Sequence, residues 1–162
     1  MHPPHFHHAA RLYYRAVSDD PLATVRSRTQ ANLFWRHLGV AVEDARQGWV
    51  RLRLPVREEL CNAAGAPLHG GVLASLVDMA VGGALATMGA AAAGGVDQAT
   101  LDVNVSFIGA AREGDDVVAE GRILKRGRTV AFGEATITDG GGRLLAAGRA
   151  TYMILNPERK PA

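Results

Sequence analysis

Asp78 is the only charged residue between Val72 and Val96, a stretch otherwise dominated by aliphatic residues, alanines and glycines. A carboxylate in such surroundings must find partners or resist ionisation, and acids placed this way concentrate at functional sites. The plain alternative is a structural acid, paired with an arginine or capping a neighbouring loop. Just upstream, Leu68-His69-Gly70-Gly71-Val72 opens the same apolar segment. At the start of a helix the first N–H groups lack partners and carry partial positive charge, and glycines let another molecule approach the backbone closely. Such a start can bind an anion or polarise a carbonyl oxygen during acyl transfer. Alternatively, the two glycines only permit a tight path beneath a sheet. With the acid following them, a catalytic carboxylate is the better reading.

Spacing adds a constraint. Asp78 lies seven residues after Gly71, about 10.5 Å of axial rise, and its side chain leans back by only part of that. One reacting carbon must lie about 3 Å from both the attacking oxygen and the oxyanion donor. A single helix spans too far, whereas a two-fold dimer can join one subunit's helix start to the other's carboxylate. Two other nucleophile candidates are set aside. Cys61 has no histidine at a catalytic spacing, and Ser75 lacks the sharp glycine-flanked turn of a hydrolase serine.

The elements that must position these groups follow from periodicity. Asp20-Pro21 is a cap followed by a proline suited to the first helical position. Leu22, Val25, Leu33 and Phe34 then fall near one helical face, and Gly39 offers the stop. This predicts one extra N-terminal helix covering an edge or opening of the core. Val50, Leu52, Leu54 and Val56 alternate with polar residues as a strand. The segment from about Gly71 to Met88 has too little polar surface for an outer helix and is therefore central. Leu101, Val103, Val105 and Phe107 alternate with Thr100, Asp102, Asn104 and Ser106. Strands are further expected over Val117–Leu124, Thr129–Thr138 and Leu144–Ile154, the last two joined by the hairpin signal Asp139-Gly140-Gly141-Gly142. One central helix followed by an antiparallel run is an α+β plan, with the sheet curled around the helix.

The chain has 162 residues, 48% hydrophobic and 21% charged, which suits one domain with a substantial core. We expect a flexible histidine-rich tail over residues 1–20 and a single domain over 21–158. His2, His5, His7 and His8 lack a fixed framework, so no metal is assigned to them. A net charge of +2, with only two Trp, three Tyr and four Phe, argues against nucleic-acid binding. Glycines and the acid make Val72–Val96 a poor membrane span. A single cysteine fits a reducing compartment, and the first residues lack the apolar core of a secretory signal. A cytoplasmic location is expected.

Asn62 and Leu68-His69-Gly70-Gly71-Val72-Leu73-Ala74-Ser75-Leu76-Val77-Asp78-Met79-Ala80 resemble the signature of hot-dog-fold acyl-CoA thioesterases. The resemblance is to the phenylacetate-degradation (PaaI) and 4-hydroxybenzoyl-CoA thioesterase-like type. Thr100-Leu101-Asp102-Val103-Asn104, Gly114-Asp115-Asp116-Val117 and Leu124 through Phe132 continue the likeness, which runs from about Phe34 to Tyr152. It implies a hot-dog fold and an acyl-CoA substrate. It also implies a homodimer or a homotetramer of paired dimers, and no cofactor. By the same resemblance Asp78 is nucleophile or water-activating base, and Gly70, with Gly71 adjacent, gives an N–H to the thioester carbonyl. Asn62 orients water or substrate, His69 positions the loop and thioester, and Thr100 holds the water.

Thioester hydrolysis suits this set, because the thiolate leaves readily and a carboxylate, a polarising N–H and a positioned water suffice. Arg122, Lys125, Arg126 and Arg128 surround one strand link and could meet the phosphates of the substrate's nucleotide end, or form a solvated basic turn. Leu73, Met79, Val81 and Leu85, with the N-terminal helix, are the expected determinants of the acyl pocket. Two other functions fit the same fold: an acyl-CoA-binding module without catalysis, and an enoyl-CoA hydratase or dehydratase working through His69 and an acid.

Overall fold

The computed structural model describes residues 20–89 and 97–155. The expected tail, apart from Asp20, and the last three residues of the expected domain lie outside the described residues.

The chain begins as expected and then departs. The Asp20 carboxylate accepts the Leu22 amide proton at 2.9 Å and Pro21 takes the first turn of α1 (Pro21–Ala31). The single helix anticipated as far as Gly39 is two. Asn32 is extended (φ −84°, ψ 114°), and its side chain accepts from Phe34 and Trp35 at 3.0 and 3.2 Å, starting α2 (Leu33–Leu38). An asparagine side chain that can satisfy amides competes with helix continuation, so it caps rather than extends. The break turns Leu33 and Phe34 outward, 72% and 53% exposed, instead of continuing the face of Val25. Gly39, at φ 80°, closes α2 in the left-handed conformation that glycine tolerates.

Six strands form one antiparallel sheet: β1 (Ala41–Arg46), β2 (Trp49–Pro55), β3 (Gln98–Phe107), β4 (Asp116–Arg126), β5 (Val130–Asp139) and β6 (Leu144–Ile154). Their order is β1-β2-β4-β5-β6-β3. The period-two pattern decides which side is buried, and Val50, Leu52 and Leu54 are wholly enclosed. The β5–β6 hairpin is tied by Asp139, whose carboxylate accepts the amide protons of Gly141 and Arg143 at 3.0 and 2.9 Å.

Inside the sheet lies α3 (Gly70–Ala86), which is buried almost all round from Leu76 onward. Gly121, Gly133 and Gly148 on β4, β5 and β6 allow this closeness. A Cβ at each would overlap Ala80, Val81 and Val77 respectively. The helix therefore rests on strand backbone, as a central helix must. No helix among the described residues is long and apolar enough to cross a membrane.

β3 differs from the alternation read in its sequence. It pairs only with β6, and Leu101, Val103 and Phe107 are 55%, 36% and 58% exposed. Among the described residues neither face of this edge strand is fully covered.

Candidate active site

Asp78 sits on the half-buried stripe of α3 that also carries Ala74 and Ser75. Its Oδ1 accepts two hydrogen bonds, from Thr100 Oγ1 at 2.9 Å and from the Tyr152 hydroxyl at 2.5 Å. The same phenol oxygen is 2.7 Å from the Asp78 carbonyl. No donor among the described residues reaches Oδ2. Tyr152 is 4% exposed, and burial, followed by the Asp78 charge, pushes its hydroxyl far above the usual phenol range. It therefore remains a donor. Sequence reasoning missed Tyr152. Its place as an inward residue of β6 was readable, but its register opposite Thr100 on β3 was not.

Two cavities meet at this carboxylate. One, of about 180 Å³, lies between α1–α2 and α3 and is lined by Val25, Arg28, Trp35, Gly82, Gln98 and Tyr152 beside Asp78. The other is an open groove of about 400 Å³ that runs past Phe34, Ala74, Ser75 and Val103. Asn32, Trp35, Asp78, Met79 and Thr100 border both. Of the four apolar residues expected to set the pocket, only Met79 lines it. Leu73, Val81 and Leu85 face the core, because α3 is covered by sheet on their side.

The start of α3 is a separate constellation. His69 is the N-cap, and its Nδ1 accepts the Gly71 amide proton at 2.8 Å. This requires Nδ1 unprotonated, with the neutral ring's proton on Nε2. The Gly71 amide, adjacent to the expected donor Gly70, is thus occupied. The Gly70 amide has no acceptor among the described residues. Asn62 is used locally, since its backbone N–H and its Nδ2 both donate to the Pro67 carbonyl at 3.0 Å. Asn62, His69, Gly70 and Gly71 border neither cavity at Asp78. Gly70 and Asp78 are eight residues apart on one helix, about 12 Å.

The basic residues do not form one patch. Both Nε and an Nη of Arg122 donate to Glu134 Oε1 on the outer face of the sheet. Arg126 lies opposite buried Ala131 and its Nε is enclosed. Lys125 and Arg128 are exposed at the β4–β5 turn, and Arg122 is exposed but paired with Glu134. The sequence placed all four near one link, but a strand sends alternate side chains to opposite faces. Ser75 Oγ donates back to the Gly71 carbonyl at 2.8 Å, and Cys61 Sγ lies 3.6 Å from the Arg57 carbonyl. Both are thus directed at backbone carbonyls, and neither donates to a side-chain base among the described residues.

A helix enclosed by a curled antiparallel sheet, with a carboxylate at a cleft, defines the hot-dog class. The thioesterase superfamily profile matches residues 67–146. Acyl-coenzyme A thioesterase 13 of Homo sapiens is 36% identical over 134 residues, covering 82% of this chain and 92% of that protein. The crystal structure of zebra fish thioesterase superfamily member 2 is similar at 32% identity and TM-score 0.70, covering 82% of this chain and 94% of its own. The PaaI protein of E. coli shares the fold, with TM-score 0.77 at 17% identity over 88% of this chain and 98% of its own. The chain belongs to the thioesterase superfamily and is a thioester hydrolase.

Proposed function

We propose that the protein hydrolyses acyl-CoA thioesters, with Asp78 as the reacting carboxylate and the Gly70 amide of a two-fold partner as the donor to the thioester carbonyl. The observation that carries this reading is Asp78 itself, held through one oxygen at the junction of two cavities and open at the other. The identity to an acyl-coenzyme A thioesterase supplies the substrate class. The acyl group enters the cavity between α1–α2 and α3 and the thioester lies at Asp78, with the pantetheine arm along the groove past Phe34 and Val103. Exposed Lys125 and Arg128 are the better candidates for the phosphates than Arg122, which is already paired with Glu134.

In the water route Asp78 takes a proton from water while the oxygen bonds to the carbonyl carbon. The C–S bond then breaks, and the thiolate leaves as coenzyme A. In the direct route an Asp78 oxygen forms that bond first, and water cleaves the resulting anhydride. Both routes place negative charge on the carbonyl oxygen, where a helix-start amide stabilises it. Thr100, exposed at the cleft and donating to Oδ1, helps to fix the carboxylate, and its hydroxyl is within reach of a water.

Pairing explains the two separated halves. β3 presents an unpaired edge beside exposed Val103 and Phe107, and the Phe107 ring lies against Gly70, within 3.4 Å of where a Cβ would stand. An edge strand flanked by apolar side chains is a template for a second copy. Two such edges joined would bring each helix start toward the partner's groove, giving two sites per dimer. We further propose that residues 21–158 form a single thioesterase domain. Thiol release should be followed with short-chain, medium-chain and aryl CoA esters. On the best of them, Asp78→Asn should lower turnover by about 10²–10⁴-fold while the protein stays folded. Near-normal thiol release by that variant would overturn the assignment.

A further inference from the structure

We infer that Tyr152 is the positioning residue of the catalytic carboxylate: with Thr100 it saturates Oδ1 of Asp78 and leaves Oδ2 as the single reactive oxygen. This rests on the function proposed above and adds a residue that the sequence motif does not contain.

Convergence is the first argument. Thr100 on β3 and Tyr152 on β6 are register partners, and both hydroxyls point at the same carboxylate oxygen from one side. A carboxylate oxygen has room for about two donors, so Oδ1 is full. Fixing one oxygen this way removes the exchange of the two oxygens by rotation. A reacting atom must be held within a narrow range of positions for efficient attack.

The second argument is the space made for the phenol. Gly82 lies one turn after Asp78, and a Cβ there would stand 2.7 Å from the Tyr152 hydroxyl and 3.0 Å from Gln98 Nε2. The hydroxyl reaches both the Asp78 carbonyl and its carboxylate because position 82 carries no side chain. Gln98 is held aside by donating from Nε2 to the Gly82 carbonyl at 2.8 Å.

Electrostatics agree. The groups facing the carboxylate are Thr100 and Gln98 from β3, Tyr152 from β6, and Arg28 and Asn32 from the N-terminal helices. Arg28 is the only cation among them. Two hydroxyl donors meet Oδ1, and either hydrolytic route uses the carboxylate form. The phenol gives up no proton in the reaction. Its hydrogen bond strengthens or weakens with the charge on Asp78.

The test is Tyr152→Phe, which keeps the ring and removes the hydroxyl. Kinetics with the best CoA ester should show kcat lowered by about 10- to 100-fold, the range of one hydrogen bond to a charged group, with KM little changed. A purely structural tyrosine would alter the melting temperature and leave kcat of the folded enzyme unchanged. A folded Tyr152→Phe with wild-type kcat overturns the inference. If that variant does not fold, Gly82→Ala decides by the same readings, since its methyl group displaces the phenol oxygen while Tyr152 remains. The two proposals fail separately. An active Asp78→Asn sinks the function itself, whereas an inactive Asp78→Asn beside an unchanged Tyr152→Phe sinks only the role of the tyrosine.

Discussion

His69 Nδ1 accepts the amide proton of Gly71 at 2.8 Å, and this one bond decides which of two adjacent glycines is free. The imidazole does the work usually given to a Ser, Thr, Asp or Asn side chain at an N-cap. With Gly71 occupied, the Gly70 amide is left as the donor available at the start of α3. Through this bond the histidine caps the start of α3.

Replacing it tests that relationship. His69→Ala should lower stability by about 1 kcal/mol and reduce kcat/KM, because the freed first turn no longer holds the Gly70 amide in place. His69→Asn restores a capping oxygen and should recover most of both. Thermal unfolding and thiol-release kinetics read the two effects. A catalytic acid–base role for His69 would instead leave Asn as inactive as Ala.

The exposed edge of β3 makes a prediction about assembly. Phe107 is 58% exposed and packs its ring against Gly70. Phe107→Glu would place a charge at the pairing edge, where natural sheets use charges to block association. Sedimentation should then show a folded monomer, and thiol release should fall to background. A folded monomer with full activity would sink the shared-site reading.

Acid stability follows from two carboxylates. Asp139 is held below the usual aspartate range, chiefly by the Arg143 backbone amide, then by the Arg143 side chain and the Gly141 amide. Asp116 is lowered mainly by its hydrogen bond with Arg53. A group whose folded pKa is depressed contributes stability above its unfolded value, about 3.9, and loses it as pH falls through the folded value. Urea midpoints should therefore drop between about pH 5 and pH 2. Asp139→Asn should flatten that slope and lower the midpoint at neutral pH. An unchanged slope would show that the hairpin carboxylate is uncoupled from folding.

Much of the fold was legible because its signals are local. The alternation of Val50, Leu52 and Leu54, the Asp139-Gly140-Gly141-Gly142 hairpin and the apolar run of α3 each declare themselves within a dozen residues. The N-terminal helix was misread at Asn32. Its helical periodicity continues through a side chain that in fact ends one helix and starts the next. The basic cluster shows a related limit. Nearness in sequence around a strand link says nothing of which face each side chain takes after the irregular register between Ile123 and Lys125.

For the site, the chain order alone singled out Asp78 and the His69-Gly70-Gly71 start, since an acid in an apolar helix and glycines at its head are anomalies wherever they occur, whereas Thr100 came only from the family resemblance. Tertiary structure decided what those residues do for one another. It set Tyr152 opposite Thr100 across strands that are about fifty residues apart in sequence. It also gave the Gly71 amide to His69. Hydrogen-bond partners and cavities arise from contacts between distant segments, and their register depends on every element packed between them. No local pattern encodes that register.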